Sequence, residues 1–93
     1  MSTYTETKKK SKYVVTISNT HKLILHNDDV NTFDFVIKCL VNICDHEYEQ
    51  ATQCANIVHN NGKCDIKYGD REKLTILKEK LVILGLSVTI EEN

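Results

Sequence analysis

Lys22-Leu23-Ile24-Leu25-His26-Asn27-Asp28-Asp29-Val30-Asn31-Thr32-Phe33-Asp34-Phe35-Val36-Ile37 is the stretch in which the chain changes its period. Up to His26 the residues are β-rich, and the run stops at Asn27-Asp28-Asp29, a turn signal. From Phe33 onward the apolar residues Phe33, Val36, Ile37, Leu40 and Cys44 fall at i, i+3, i+4, i+7 and i+11, the stripe of a helix. Asn31 stands where an N-cap belongs, and Asp34 three residues on makes a near-match to a capping box. A strand that feeds a helix through a polar turn is the expectation.

Toward the C-terminus the pattern continues. A second helix is expected from Glu47 to Asn60, with Tyr48, Ala51, Ala55 and Val58 on one face. Asp45, Glu47 and Glu49 crowd its start, as the helix dipole prefers, and Gly62 suits a left-handed stop. Cys64, Ile66 and Tyr68 alternate with Lys63, Asp65 and Lys67 as a half-buried strand. Asp70 can cap a third helix carrying Leu74, Leu77, Leu81 and Leu84, which Gly85 closes. Leu86, Val88 and Ile90 then alternate with Ser87 and Thr89 as a last strand.

Toward the N-terminus, Tyr13–Ile17 is a further β-rich run, either a hairpin partner of the next strand or a lead into it. Residues 1–11 hold Ser, Thr, Glu and the run Lys8-Lys9-Lys10, with no face to bury, and read as a mobile tail. The remaining 12–93 read as a single domain without repeats or linkers. The order β-α-α-β-α-β with short connections predicts an α+β fold, three helices packed on a small antiparallel three-stranded sheet.

Composition narrows the function. A hydrophobic fraction of 41% with 27% charged residues suits a globular domain rather than a disordered chain. A net charge of −1 lacks the basic excess of a nucleic-acid binder. No apolar run approaches the roughly 20 residues of a membrane span, and no secretory h-region follows Met1, so a cytoplasmic monomer is expected. In that compartment Cys39, Cys44, Cys54 and Cys64 read as reduced thiols.

The Cys/His set invites a metal or redox reading, but the close Cys pairs of structural zinc sites are missing. Cys39 and Cys44, five apart, point about 140° from each other on a helix. Buried thiols acting as small hydrophobes are preferred, with metal or redox chemistry as the competing reading. A thiol hydrolase needs an oriented His and an oxyanion loop, and no such loop accompanies His59. Gly62, Gly69 and Gly85 each sit at an element end, too sparse for a phosphate cradle. No cofactor is expected. Asn27-Asp28-Asp29 has two readings. Spacing alone favours helix capping. A carboxylate beside an amide oxygen is also the chemistry that holds a primary ammonium, a group with three donors and no acceptor.

Leu23–Asp29 followed by Asn31-Thr32-Phe33-Asp34-Phe35-Val36-Ile37 resembles the ClpS adaptor family, whose strand runs into Asn-Asp-Asp before a helix opening Thr-Pro-Met-Glu-Phe-Val. Glu49-Gln50-Ala51 and Val58-His59-Asn60-Asn61-Gly62-Lys63 resemble that family's second helix and its Val-His-x-x-Gly segment. The match runs without a gap from about Lys22 to Lys63 and is weaker beyond it.

The resemblance implies a substrate-recognition adaptor of a AAA+ Clp protease, not an enzyme, working with a ClpA- or ClpC-like unfoldase. It implies binding of proteins through a free N-terminal Leu, Phe, Tyr or Trp (an N-degron). By it, Asn27, Asp28 and His59 hold the α-amino group. Phe33, Val36, Ala55 and Val58 line a side-chain pocket that Leu86 closes, with Asp29 and Asn31 at the rim. The apolar members are also core-stripe positions, so plain core packing stands beside the pocket reading. The chain departs from the family pattern at Asn31-Thr32, in place of Thr-Pro, and at Phe33 and Ala55, where Met is frequent. A partner-binding module on the same scaffold, without an amine pocket, is the alternative.

Overall fold

His21–His26 (β1) is the middle strand of the sheet, and every other element is placed by reference to it. The structure, a computed structural model, describes residues 20–93; the expected tail and the Tyr13–Ile17 run lie outside the described residues. Downstream come Phe33–Cys44 (α1), Tyr48–Asn61 (α2), Lys63–Gly69 (β2), Arg71–Ile83 (α3) and Ser87–Glu92 (β3). The strand order is β2-β1-β3, with both pairings antiparallel. This is the α+β fold expected, in the expected element order.

Leu23 and Leu25 of β1 join Ile37, Leu40, Ala51, Val58, Leu74, Leu81 and Val88 in one core between the sheet and the helices. Each buried Leu, Ile or Val side chain contributes about 1.5–3 kcal/mol of transfer free energy. The stripes read from the sequence make most of this core, but Phe33, Tyr48, Tyr68 and Leu84 stand outside it. Tyr48 is 68% exposed, because the buried face of α2 begins at Ala51 and runs through Cys54, Ala55 and Val58. Leu84 is also exposed, since α3 ends at Ile83, before the stripe's fourth leucine.

The capping residue of α1 differs from expectation. Thr32, not Asn31, has the extended N-cap backbone, and its hydroxyl oxygen accepts the Phe35 N–H at 3.1 Å. Asn31 lies one residue outside the helix, and its side chain is engaged elsewhere. Asp70 caps α3 as expected, accepting the Lys73 N–H at 2.8 Å. Gly62 stops α2 at φ 96°, a left-handed conformation that costs glycine nothing sterically.

The alternation expected in β2 is broken by a bulge. Leu23 pairs with Lys67 and Ile24 with Asp65, which leaves Ile66 as the extra residue. Ile66 is buried, Tyr68 is shifted to the exposed face, and Lys67 turns inward to donate to the Cys44 carbonyl at 2.9 Å. Nε2 of the buried His46 lies 2.7 Å from the Ile66 carbonyl. A carbonyl only accepts, so His46 carries its proton on Nε2. Its Nδ1 is buried without a partner among the described residues.

Candidate functional site

The site grows from the end of β1. The Asn27 N–H donates to the Gly62 carbonyl at 2.8 Å, which fastens the end of the strand to the end of α2. His59 lies in the last turn of α2, so this bond brings it beside Asn27 and Asp28 despite their separation in sequence. The three residues expected to act on a cation therefore border one cavity of about 340 Å³.

Asp28 does not cap a helix. Its Oδ1 accepts the N–H groups of Val30 at 3.0 Å and Asn31 at 2.9 Å, and its Oδ2 accepts the Asn31 side-chain amide at 3.0 Å. Desolvation pushes its carboxyl pKa up, but the bonds from Asn31 and Val30 together outweigh that, and the net direction is down. Asp28 is thus held as an anion. Asn27 and His59 are both exposed, and their side chains have no hydrogen-bond partner among the described residues. One fixed charge stands beside two uncommitted polar groups.

The rest of the wall is apolar. Phe33, in the first turn of α1, is 40% exposed and belongs to the cavity rather than the core. Val36 is half-buried, and Ala55 and Val58 come from the buried face of α2, so these three serve wall and core together. Asp29 and Asn31 also border the cavity.

Leu86 is not on this wall. The Leu86 N–H returns to the Leu81 carbonyl at 3.0 Å, and the side chain sits in the central core, 4% exposed. Leu25 and His26 do line the cavity and were not assigned from the sequence. Their signal was their place immediately before Asn27, where the strand delivers its last side chains to whatever lies at its end. His26 Nε2 and Thr89 Oγ1 share a hydrogen bond of 2.7 Å, which fixes the ring against β3.

The cysteines are separate from this site. Cys54 and Cys64 are within hydrogen-bonding reach of each other. Burial, with Cys54 beside it, pushes the Cys64 thiol up to about 12, and burial takes Cys44 to about 11. At neutral pH both are thiols, poor nucleophiles and poor metal ligands. His59 stands at the cavity and His46 on the Ile66 carbonyl, so the histidines and cysteines do not converge. Among the described residues no group of three or more His, Cys, Asp or Glu side chains is placed to hold a metal ion.

The arrangement is suited to a small cation joined to an apolar group. Two carboxylates, Asp28 and Asp29, and the Asn27 amide share the cavity with aromatic and aliphatic side chains. Among the described residues no helix is long and apolar enough to cross a membrane.

Residues 8–89 match the family model described as ATP-dependent Clp protease adaptor protein ClpS. An ATP-dependent Clp protease adapter protein ClpS from Campylobacter jejuni subsp. jejuni is 38% identical over 79 residues, covering 78% of this chain and 82% of that protein. Its counterpart from Thermosynechococcus vestitus is 33% identical over 69 residues, covering 73% of each chain. Among solved structures, Agrobacterium tumefaciens ClpS2 bound to L-phenylalaninamide superposes with a TM-score of 0.77 at 20% identity, over 82% of this chain and 99% of that one. The chain belongs to the ClpS family, adaptors of the ATP-dependent Clp protease and not themselves enzymes.

Proposed function

We propose that this adaptor recognises proteins by a free N-terminal Leu, Phe, Tyr or Trp and delivers them to a ClpA- or ClpC-like AAA+ unfoldase in the cytoplasm. The observation that carries this is the two-part cavity: Asn27, Asp28 and His59 border the same space as Phe33, Val36, Ala55 and Val58. The ligand of the related ClpS2 is consistent with it, since L-phenylalaninamide joins a free α-amino group to an aromatic side chain.

The chemistry explains why two parts are needed. An apolar cleft alone accepts any exposed Leu or Phe. An α-amino group has a pKa near 8, so at neutral pH it is largely an ammonium, and the Asp28 carboxylate favours that form. Acetylation removes the charge and two of the three donors and adds the bulk of the acetyl group, so the Asp28 carboxylate loses its counter-charge. True chain ends are selected over internal apolar residues. Burial of one Leu or Phe side chain gives about 1.5–3 kcal/mol, well short of the roughly 8 kcal/mol of a micromolar complex, so the polar contacts to the chain end must supply the larger share.

The test is fluorescence anisotropy with short labelled peptides. Free peptides beginning with Leu, Phe, Tyr or Trp should bind at micromolar concentration, and N-acetylated or Gly-leading controls should not. Equal binding of free and acetylated peptides removes the amine from the mechanism. Binding of a partner that survives both Asp28→Ala and His59→Ala identifies an interaction module with no amine pocket.

A further inference from the structure

Asn31 sits outside α1, yet its side chain makes two hydrogen bonds that reach in opposite directions. Its amide nitrogen donates to Asp28 Oδ2 at 3.0 Å and to the Gly85 carbonyl at 2.9 Å. Both partners are acceptors without a proton to give, so only the NH₂ end of the amide can face them, and both of its hydrogens are used. Gly85 lies in the turn between α3 and β3, far away in sequence, and holds a φ of 95°. One half-buried side chain therefore ties the cavity's carboxylate to a turn at the other end of the chain.

Asp28 has four acceptor positions, two on each oxygen. Backbone N–H groups fill both on Oδ1, and the Asn31 amide fills one on Oδ2. A single acceptor position on Oδ2 is left, on a residue that lines the cavity. The backbone bonds alone leave the carboxylate free to rock about its Cβ–Cγ bond. The amide bond to Oδ2 removes that freedom and fixes the direction of the open position.

We propose that Asn31 is a positioning residue for recognition: it orients the Asp28 carboxylate toward the incoming ammonium and braces it on the Gly85 carbonyl. This rests on the amine reading of the cavity given above. The role is distinct from that of a rim residue touching the ligand, because Asn31 acts through Asp28. The Asn31 side-chain bond also stabilises the carboxylate over the acid, so its loss brings the Asp28 titration back toward the ordinary carboxylate range.

The experiment compares wild type with Asn31→Ala and Asn31→Thr by two readouts. One is the affinity for a Phe-leading peptide, free and N-acetylated; the other is the Asp28 side-chain carboxyl followed by carbon-detected NMR against pH. Asn31→Ala is expected to lose about tenfold in affinity for the free peptide. Its residual affinity for the acetylated peptide should be unchanged, and its Asp28 titration should move upward. Asn31→Thr keeps one donor and should fall between the two, and it stands in for the alanine variant if that fails to fold. A merely structural residue would lower thermal stability and leave the free-over-acetylated ratio and the Asp28 titration where they were. That result overturns the proposal. If wild type itself does not distinguish free from acetylated peptide, the amine reading fails and takes this proposal with it. If wild type distinguishes them and Asn31→Ala does so equally well, only the positioning role fails.

Discussion

Two connections in this molecule carry an aspartate from the end of a strand to the start of a helix, and they use it differently. Between β2 and α3 the connection is Asp70 alone, and Asp70 caps the helix. Between β1 and α1 it is Asn27–Thr32, and Thr32 caps the helix instead. The longer connection releases Asp28 from capping and closes a small turn on it through the N–H groups of Val30 and Asn31. The shorter loop satisfies local chemistry and nothing more. The longer one satisfies the same chemistry with a later residue and leaves a carboxylate, held rigidly, at the mouth of a cavity.

The comparison breaks most visibly at the two aspartates. Asp28→Asn should lower affinity for a Phe-leading peptide about a hundredfold, because the charge is lost and an NH₂ group must oppose either the Asn31 amide or the ligand. Asp70→Ala should leave that affinity alone. Titration calorimetry on both variants measures it, and a binding defect in Asp70→Ala of similar size would erase the distinction. A change at the apolar end tests whether the loop acts independently. Ala55→Met narrows the cavity and should weaken Trp- and Tyr-leading peptides about tenfold, Leu-leading ones less, with the free-over-acetylated ratio kept. An unchanged preference order in a peptide panel would remove Ala55 from the specificity surface.

Smaller effects concern stability. Thr32→Ala and Asp70→Ala should each cost about 1 kcal/mol in urea unfolding, since each removes one helix cap. If Asp28→Ala were to destabilise α1 in the same way, capping would be shared between Asp28 and Thr32. The smallest effect is on pH dependence. The Asp28 pKa is lowered in the folded state, so its contribution to stability is complete above about pH 4, the unfolded value. It is lost as pH falls through the lower folded value. Replacing Asp28 should therefore flatten the acid limb of a stability–pH curve, and an unaltered limb would show that the carboxylate gains nothing from its three bonds.

Most of the fold was legible because period decides it. The shift at Phe33 and the stripes of α1 and α3 are long enough to fix element type. Asp70 and Gly62 announce their caps by residue chemistry. What escaped was decided by tertiary contacts. Asn31 and Thr32 are both good N-caps, and Asn31 instead spends its side-chain amide on the Asp28 carboxylate and on the Gly85 carbonyl, the latter brought in from another part of the chain. The bulge at Ile66 leaves no mark in an alternating run, and Lys67 reads as solvated until the Cys44 carbonyl is in place beneath it. In the site, Asn27 and Asp28 were raised by their own chemistry and His59 was joined to them by the family resemblance; all three border one cavity. Leu86, implied as a closing residue by the resemblance alone, lies in the core and does not border the cavity.

The bulge in β2 has a consequence for how this sequence can change length. Strand pairing here depends on parity: Cys64 and Lys67 both face the helices only because Ile66 between them has no partner in the ladder. Deleting Ile66 would keep every residue from Lys67 onward in its pairing, but His46 would lose the carbonyl it meets. Deleting Asp65 would restore the same regular ladder, but with Ile66 opposite Ile24 on the face that Asp65 now occupies. A one-residue deletion at the bulge therefore keeps the facing of Cys64 and Lys67, the one change of length within this strand that the register absorbs without turning either side chain over.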